Sequence, residues 1–223
     1  MLEIKNTVFT PALTKGGEMT LKTGTTTLGL VCKDCVIMAA DRRATAGTLI
    51  ADKNVEKVRP VMKNIVLTTA GSVSDLQLLY KYLQAELKIK HIRAGRQPSV
   101  REAANLLGGW VYSLIRSSGG IAHFLVGGYD TNPQLFDIYP DGSIMEQNDY
   151  ITSGSGSVFA LGVLESQYKK NLSQEEGMQL AIKAMNASLA RDSASGNGVD
   201  VYVVDKNGAR KIASKTVNTT VES

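Results

Sequence analysis

The chain has 223 residues, 43% hydrophobic and 21% charged, with a formal net charge of +4. That length suits one domain with a sizeable core, and the composition is ordinary for a globular protein. The basic residues form no run, no apolar stretch nears the roughly 18 residues of a membrane helix, and the first residues lack a secretory apolar core, which argues against nucleic acid, membrane and export. A cytoplasmic protein is expected, with no cofactor and no metal.

Residues 1–24 contain Pro11, Gly16, Gly17 and Gly24 among many threonines and lysines and hold no sustained period. They read as a leader, which leaves 25–223 as the folded domain. Runs at Thr26–Val31 and Val36–Ala40 flank Lys33-Asp34 and predict a hairpin. Cys32 and Cys35 sit at its turn. Such a pair can be a redox motif or half of a zinc site. A zinc site needs further ligands, yet there is no second cysteine pair, and His91 and His123 are not at metal spacing. A redox pair normally opens a helix, whereas apolar runs lie on both sides here. Two half-buried thiols flanking a tight turn are expected.

A strand follows at Asn64–Ala70, then a helix from about Val73 to Lys88 with Leu76, Leu79, Tyr80, Leu83 and Leu87 on one face. A second helix starts after Pro98, where Ser99 and Glu102 make a capping box. Gly108-Gly109 in its middle weakens it, and close helix packing would explain the pair. Strands are expected at Ala122–Tyr129, Gln134–Ile138 and Ser143–Glu146, with Asp141-Gly142 as a turn. A helix over Ser157–Tyr168 precedes another that opens at Ser173 with Glu176, a second capping box, and runs to about Arg191. Strands at Val199–Val204 and Ala209–Ile212 close the chain.

Strict βαβ alternation is absent, which disfavours a doubly wound parallel sheet. Hairpin signals favour antiparallel pairing. Two helix pairs separated by strands suit an α+β fold, a four-layer αββα sandwich of two antiparallel sheets between helix layers. Val36–Ala40, apolar throughout, suits a strand covered on both faces.

Neither histidine has a nucleophile motif beside it, so both read as structural or surface residues. Gly154-Ser155-Gly156-Ser157 precedes a helix but lacks the lysine and spacing of a phosphate loop. Thr25-Thr26-Thr27 after Gly24 is, by itself, a good start for a strand. Taken singly, Asp41 and Lys57 are surface charges, Gly71 a turn glycine, Ser155 a helix cap, and Asp192 with Ser195 a helix-end loop.

Together these segments resemble a known family. Thr25-Thr26-Thr27-Leu28-Gly29 and Ala39-Ala40-Asp41-Arg42-Arg43-Ala44-Thr45 resemble the start of a mature proteasome β subunit. The resemblance continues at Asn54-Val55-Glu56-Lys57, Thr69-Ala70-Gly71 and Gly127-Gly128-Tyr129-Asp130. It extends through Gly154-Ser155-Gly156-Ser157, Gly162-Val163-Leu164-Glu165 and Arg191-Asp192-Ser193-Ala194-Ser195-Gly196, in order and over most of the chain. The likeness is to archaeal catalytic subunits. It implies the N-terminal nucleophile hydrolase fold and assembly into seven-membered β rings between α-subunit rings. An ATPase unfoldase would feed unfolded polypeptides through the α ring.

The resemblance also implies roles. Thr25 is the nucleophile, with its own α-amine as base once residues 1–24 are cut away at Gly24. A free α-amine has a pKa of about 7.7–8.0, which a nearby cation lowers. Lys57 corresponds to that cation and Asp41 to the acid that holds it charged and oriented. Gly71 offers the oxyanion amide, a donor typically worth about 3–4 kcal/mol of barrier, and leaves room for substrate backbone. Ser155, Asp192 and Ser195 surround the threonine amine, and Arg43 serves a structural ion pair. Ala44, Val55, Thr69 and Val73 line the pocket for the residue before the cut, with Arg59 near its rim. Small and apolar, they predict cleavage after hydrophobic residues. Gly24 is expected to supply the unusual backbone geometry that self-attack needs. Three other readings stand beside this one: a structural β-ring subunit without activity, the bacterial two-ring relative, and a redox protein built on the cysteine pair.

Overall fold

A computed structural model describes residues 24–216. Of the leader predicted over 1–24, all but Gly24 lies outside the described residues.

The hairpin forms from β1 (Thr27–Val31) and β2 (Cys35–Asp41), with Leu28 opposite Ala39. The Cys32 N–H donates to the Cys35 carbonyl at 2.8 Å and closes the turn. Both cysteines are free and fully buried rather than half-buried, because helix residues cover that end of the hairpin. Next come β3 (Ala44–Ala46), β4 (Leu49–Asp52), β5 (Val58–Met62) and β6 (Ile65–Gly71). Then α1 (Val73–Ala94), α2 (Val100–Ser118), β7 (Ala122–Tyr129), β8 (Pro133–Ile138), β9 (Ile144–Gln147) and β10 (Tyr150–Ser153) follow. The chain continues through α3 (Ser157–Gln167), α4 (Gln174–Arg191), β11 (Gly198–Asp205) and β12 (Gly208–Thr216).

One antiparallel sheet has the order β10-β1-β2-β11-β12 and the other β5-β6-β7-β8-β9; β3 and β4 form a separate ribbon. Leu28, Leu30, Ile37 and Ala39 of the first sheet pack under α3 and α4 with Leu164, Ala181 and Met185. Leu67, Phe124 and Phe136 of the second pack under α1 and α2 with Leu83, Leu87 and Leu107. Val36, Met38, Val66, Leu125 and Leu135 fill the space between the sheets. The four-layer αββα sandwich read from the element order is therefore the fold. All seven residues of β2 are buried, as a strand covered on both faces must be.

Several details differ from the sequence reading. The strands β3, β4, β5 and β10 were not foreseen. Pro60 sits inside β5 and breaks its register, which is tolerated because β5 is a sheet edge. The helix expected to end at Lys88 runs to Ala94, where Gly95 at φ 65° caps it through its N–H to the His91 carbonyl. Both capping boxes form, at Ser99/Glu102 and Ser173/Glu176. Gly108 is tight against β9 and the turn before it rather than another helix: a β-carbon there would lie 2.6 Å from Ile144 Cδ1 and 3.1 Å from the Gly142 carbonyl. Gly109 faces open space.

Candidate active site

The first sheet delivers Thr25 and Thr26 just before β1, and Asp41 at the end of the adjoining β2. Lys57 lies just before β5, on the second sheet, and its carbonyl accepts the Thr69 N–H at 3.0 Å. The site therefore lies at one end of the seam between the two sheets.

Lys57 Nζ lies 2.9 Å from Thr25 Oγ1, 2.7 Å from Asp41 Oδ1 and 3.3 Å from the Gly24 carbonyl oxygen. Asp41 is held on both oxygens. Oδ1 also accepts the Thr26 N–H, and Oδ2 accepts the N–H groups of Arg43 and Gly196, each at 3.0 Å. A carboxylate so supplied with donors is fixed in place. Lys57 and Asp41 side chains are 6% and 0% exposed. Burial pushes the Lys57 ammonium below the ordinary lysine range, and Asp41 restrains the fall without reversing it. Desolvation and the Asp41 charge thus act on the Lys57 proton in opposite directions, with desolvation the larger.

A second cluster meets the threonine from the other side. The Thr25 N–H donates to Ser155 Oγ at 3.2 Å, and Ser155 Oγ donates to Asp192 Oδ2 at 2.6 Å. Ser195 Oγ donates to the same oxygen at 2.6 Å and lies 2.7 Å from Thr26 Oγ1. The Gly/Ser turn before α3 is a cradle for these threonines. A β-carbon at Gly154 would come within 2.1 Å of the Thr25 carbonyl, and one at Gly156 within 2.1 Å of Thr26 Oγ1.

Gly71 lines one cavity with Thr25. Its glycine is required by φ 130° and by the Ile121 carbonyl, 2.4 Å from where a β-carbon would stand. Ala44, Val55, Thr69 and Val73 all line that same cavity. Arg59 and Tyr80 line it too. Arg59 Nε lies 3.6 Å from Glu56 Oε2, and its guanidinium sits over the Tyr80 ring at 5.7 Å.

One expectation fails in its reason. Among the described residues Arg43 makes no carboxylate pair: it donates to Asn197 Oδ1 and to the Ser193 carbonyl, both at 2.8 Å. The arginine facing an acid is its neighbour, with Arg42 Nε 3.6 Å from Asp200 Oδ2. Gly24 is glycine for want of space, since a β-carbon would fall 1.7 Å from Ala194 Cβ.

The arrangement is that of a nucleophilic hydroxyl with an adjacent buried amine, an orienting acid and a cavity beside it. Comparison with known proteins decides the family. The proteasome subunit family matches residues 21–204. The chain belongs to the proteasome subunit family. A proteasome subunit beta of Methanocaldococcus vulcanius is 41% identical over 87% of this chain and 87% of its own length. The proteasome subunit beta 2 of Hyperthermus butylicus is 42% identical over 87% of this chain and 91% of its own. That of Pyrococcus abyssi is 38% identical over 86% and 91%.

Within this proteasome-family fold the sequence reading missed a polar chain. His123 Nε2 meets Asp137 Oδ1 at 2.6 Å, and Ser153 Oγ meets His123 Nδ1 at 2.9 Å. The serine, histidine and aspartate come from β10, β7 and β8, so the chain stitches one sheet to the other. Ser153 is only 2% exposed, which closes it to a substrate and makes the chain structural. Its signal was absent locally because the partners are 14 and 30 residues from His123. His91 is a surface residue bonded to the Arg96 carbonyl. Thr45, whose hydroxyl accepts the Gly24 N–H, was seen only as part of a motif.

Proposed function

We propose that this chain is the catalytic β subunit of a proteasome core particle, a threonine endopeptidase that removes its own residues 1–24. The observation that carries the reading is Lys57 Nζ, 2.9 Å from Thr25 Oγ1 and 2.7 Å from Asp41 Oδ1, with the lysine and aspartate side chains almost wholly buried.

In the precursor the Thr25 nitrogen is an amide and is no base. Lys57, lowered by burial, takes the hydroxyl proton. The Thr25 oxygen then attacks the Gly24 carbonyl carbon. The Gly24–Thr25 carbon–nitrogen bond breaks, the nitrogen gains a proton, and an ester joins Gly24 to the threonine oxygen. Water hydrolyses that ester and releases the leader as a carboxylate. The freed α-amine stands beside Ser155, where Asp192 and Ser195 fix the hydrogen-bond pattern.

Peptide hydrolysis repeats the cycle on a substrate carbonyl. The hydroxyl gives up its proton to the new amine or to Lys57, an acyl ester forms, and the substrate's amine half departs. Gly71 is the candidate oxyanion donor. The cavity beside Thr25 receives the residue before the cut, and its Ala44, Val55 and Val73 walls support a hydrophobic preference. Glu56 offsets the Arg59 charge there, so the arginine acts chiefly through its packing on Tyr80.

The particle would comprise seven-membered β rings between α rings in the cytoplasm. A regulatory ATPase would deliver unfolded polypeptides through the α ring. The test is hydrolysis of a hydrophobic reporter peptide by particles reconstituted with the cognate α subunit. Thr25→Ala should abolish turnover and Thr25→Ser should retain part of it. Full activity in Thr25→Ala would refute the assignment.

A further inference from the structure

We propose that Thr45 is a positioning residue for leader removal: its buried hydroxyl accepts the Gly24 N–H at 2.7 Å and holds the peptide that Thr25 attacks. This rests on the reading of Gly24–Thr25 as the self-cleaved bond.

Gly24 is restrained at each of its groups. Its N–H goes to Thr45 Oγ1. Its carbonyl oxygen accepts from Thr25 Oγ1 at 2.6 Å and from Lys57 Nζ at 3.3 Å. Its α-carbon faces Ala194, which leaves no space for a side chain. A hydroxyl attacking the carbonyl immediately before it closes a small ring. That ring forms only if the carbonyl is turned toward the oxygen. With only the carbonyl held, rotation of the residue would swing its carbon away. Anchoring the amide and the carbonyl of one residue fixes the orientation before the reaction begins, which is where intramolecular reactions gain their rate.

Thr45 suits this role by position and burial. It is 8% exposed, so water competes poorly for the Gly24 N–H. It sits on β3, where the ribbon register shifts between Ala44 and Thr45. The contact exists only while Gly24 is attached. Once the leader leaves, the hydroxyl loses this partner. The Thr45 side chain therefore acts on self-cleavage specifically, in contrast to Lys57 and Asp41, which serve both reactions.

The test uses the full chain assembled with its cognate α subunit and follows the leader by intact mass over time. Thr45→Val keeps the shape and removes the acceptor. It should slow leader loss roughly tenfold, the effect of one unsatisfied buried donor. Thr45→Ser should recover to within about threefold of the unsubstituted chain, since the hydroxyl returns. A chain beginning at Thr25, released from a cleavable fusion, should lose a smaller factor in peptide hydrolysis from Thr45→Val than leader removal loses. Should valine block assembly, Thr45→Ala replaces it. An unchanged rate of leader loss overturns the proposal, as does equal slowing by serine and valine. An equal loss in the leaderless chain overturns it by making the hydroxyl a substrate contact. If the unsubstituted chain keeps its leader in active particles, the self-cleavage reading fails as well, an outcome distinct from the other three.

Discussion

Lys57 and Asp41 form an ion pair at 2.7 Å with almost no exposure, and that pair carries the nucleophile: the same Lys57 nitrogen touches Thr25 Oγ1. A buried pair of this kind is costly to desolvate, so it is weak grounds for stability. Removing Lys57 leaves Asp41 with three backbone donors and takes away its ion-pair partner. Lys57→Ala should cut leader removal by about 10²–10⁴-fold, the usual value of a general base. It should also lower stability by about 3 kcal/mol, read from denaturant unfolding. A Lys57→Ala chain that processes at the native rate would exclude Lys57 as base.

The pH dependence follows from the depressed lysine. Folded Lys57 binds its proton less tightly than the unfolded group, whose reference value is 10.5. Between the folded and unfolded values the unfolded chain holds more protons, so stability should rise with pH across that window. The neutral base grows over the same range. Leader removal in a pH-jump experiment should accelerate with rising pH and level off below 10.5. Asp41→Asn removes the group that raises the lysine and should move that inflection lower still. A pH-independent rate would contradict this account.

Gly24→Ala places a methyl 1.7 Å from Ala194 Cβ and must displace the scissile carbonyl. A misplacement on the ångström scale costs on the order of a hundredfold in rate. Leader retention in the Gly24→Ala chain, with partial recovery in Gly24→Ala/Ala194→Gly, is the expected mass-spectrometric result. Recovery is only partial because Ala194 Cα would still lie 2.7 Å away.

The Arg59 charge in the cavity is offset by Glu56. Glu56→Gln should release it and raise cleavage after acidic residues, relative to hydrophobic ones, by about tenfold, the scale of one partly desolvated charge interaction. Reporter peptides differing only at the residue before the cut read this directly. An unchanged ratio would mean that Arg59 does not face the bound side chain.

The fold was legible where the signals were local. Ser99 with Glu102 and Ser173 with Glu176 marked two helix starts because a capping box spans only four positions. Val36–Ala40 marked the doubly covered strand because burial on both faces leaves no polar alternation. The strand around Pro60 was hidden because proline argues against a strand unless its edge position is known. The site was legible only as an ordered set of motifs. Thr26 and Ser195 touch across 169 residues, and no local pattern in either predicts that contact. What the pattern could not carry was the physical reason for each residue: the space limit at Gly24, the neutral partners of Arg43, and the desolvation of Lys57.

The most direct measurement is the intact mass of the β chain in active particles assembled with the cognate α subunit. The account predicts a chain beginning at Thr25 in the unsubstituted protein and a chain retaining residues 1–24 in Thr25→Ala. A full-length chain in particles that hydrolyse peptides, or leader loss in Thr25→Ala particles free of any other active β subunit, would contradict it.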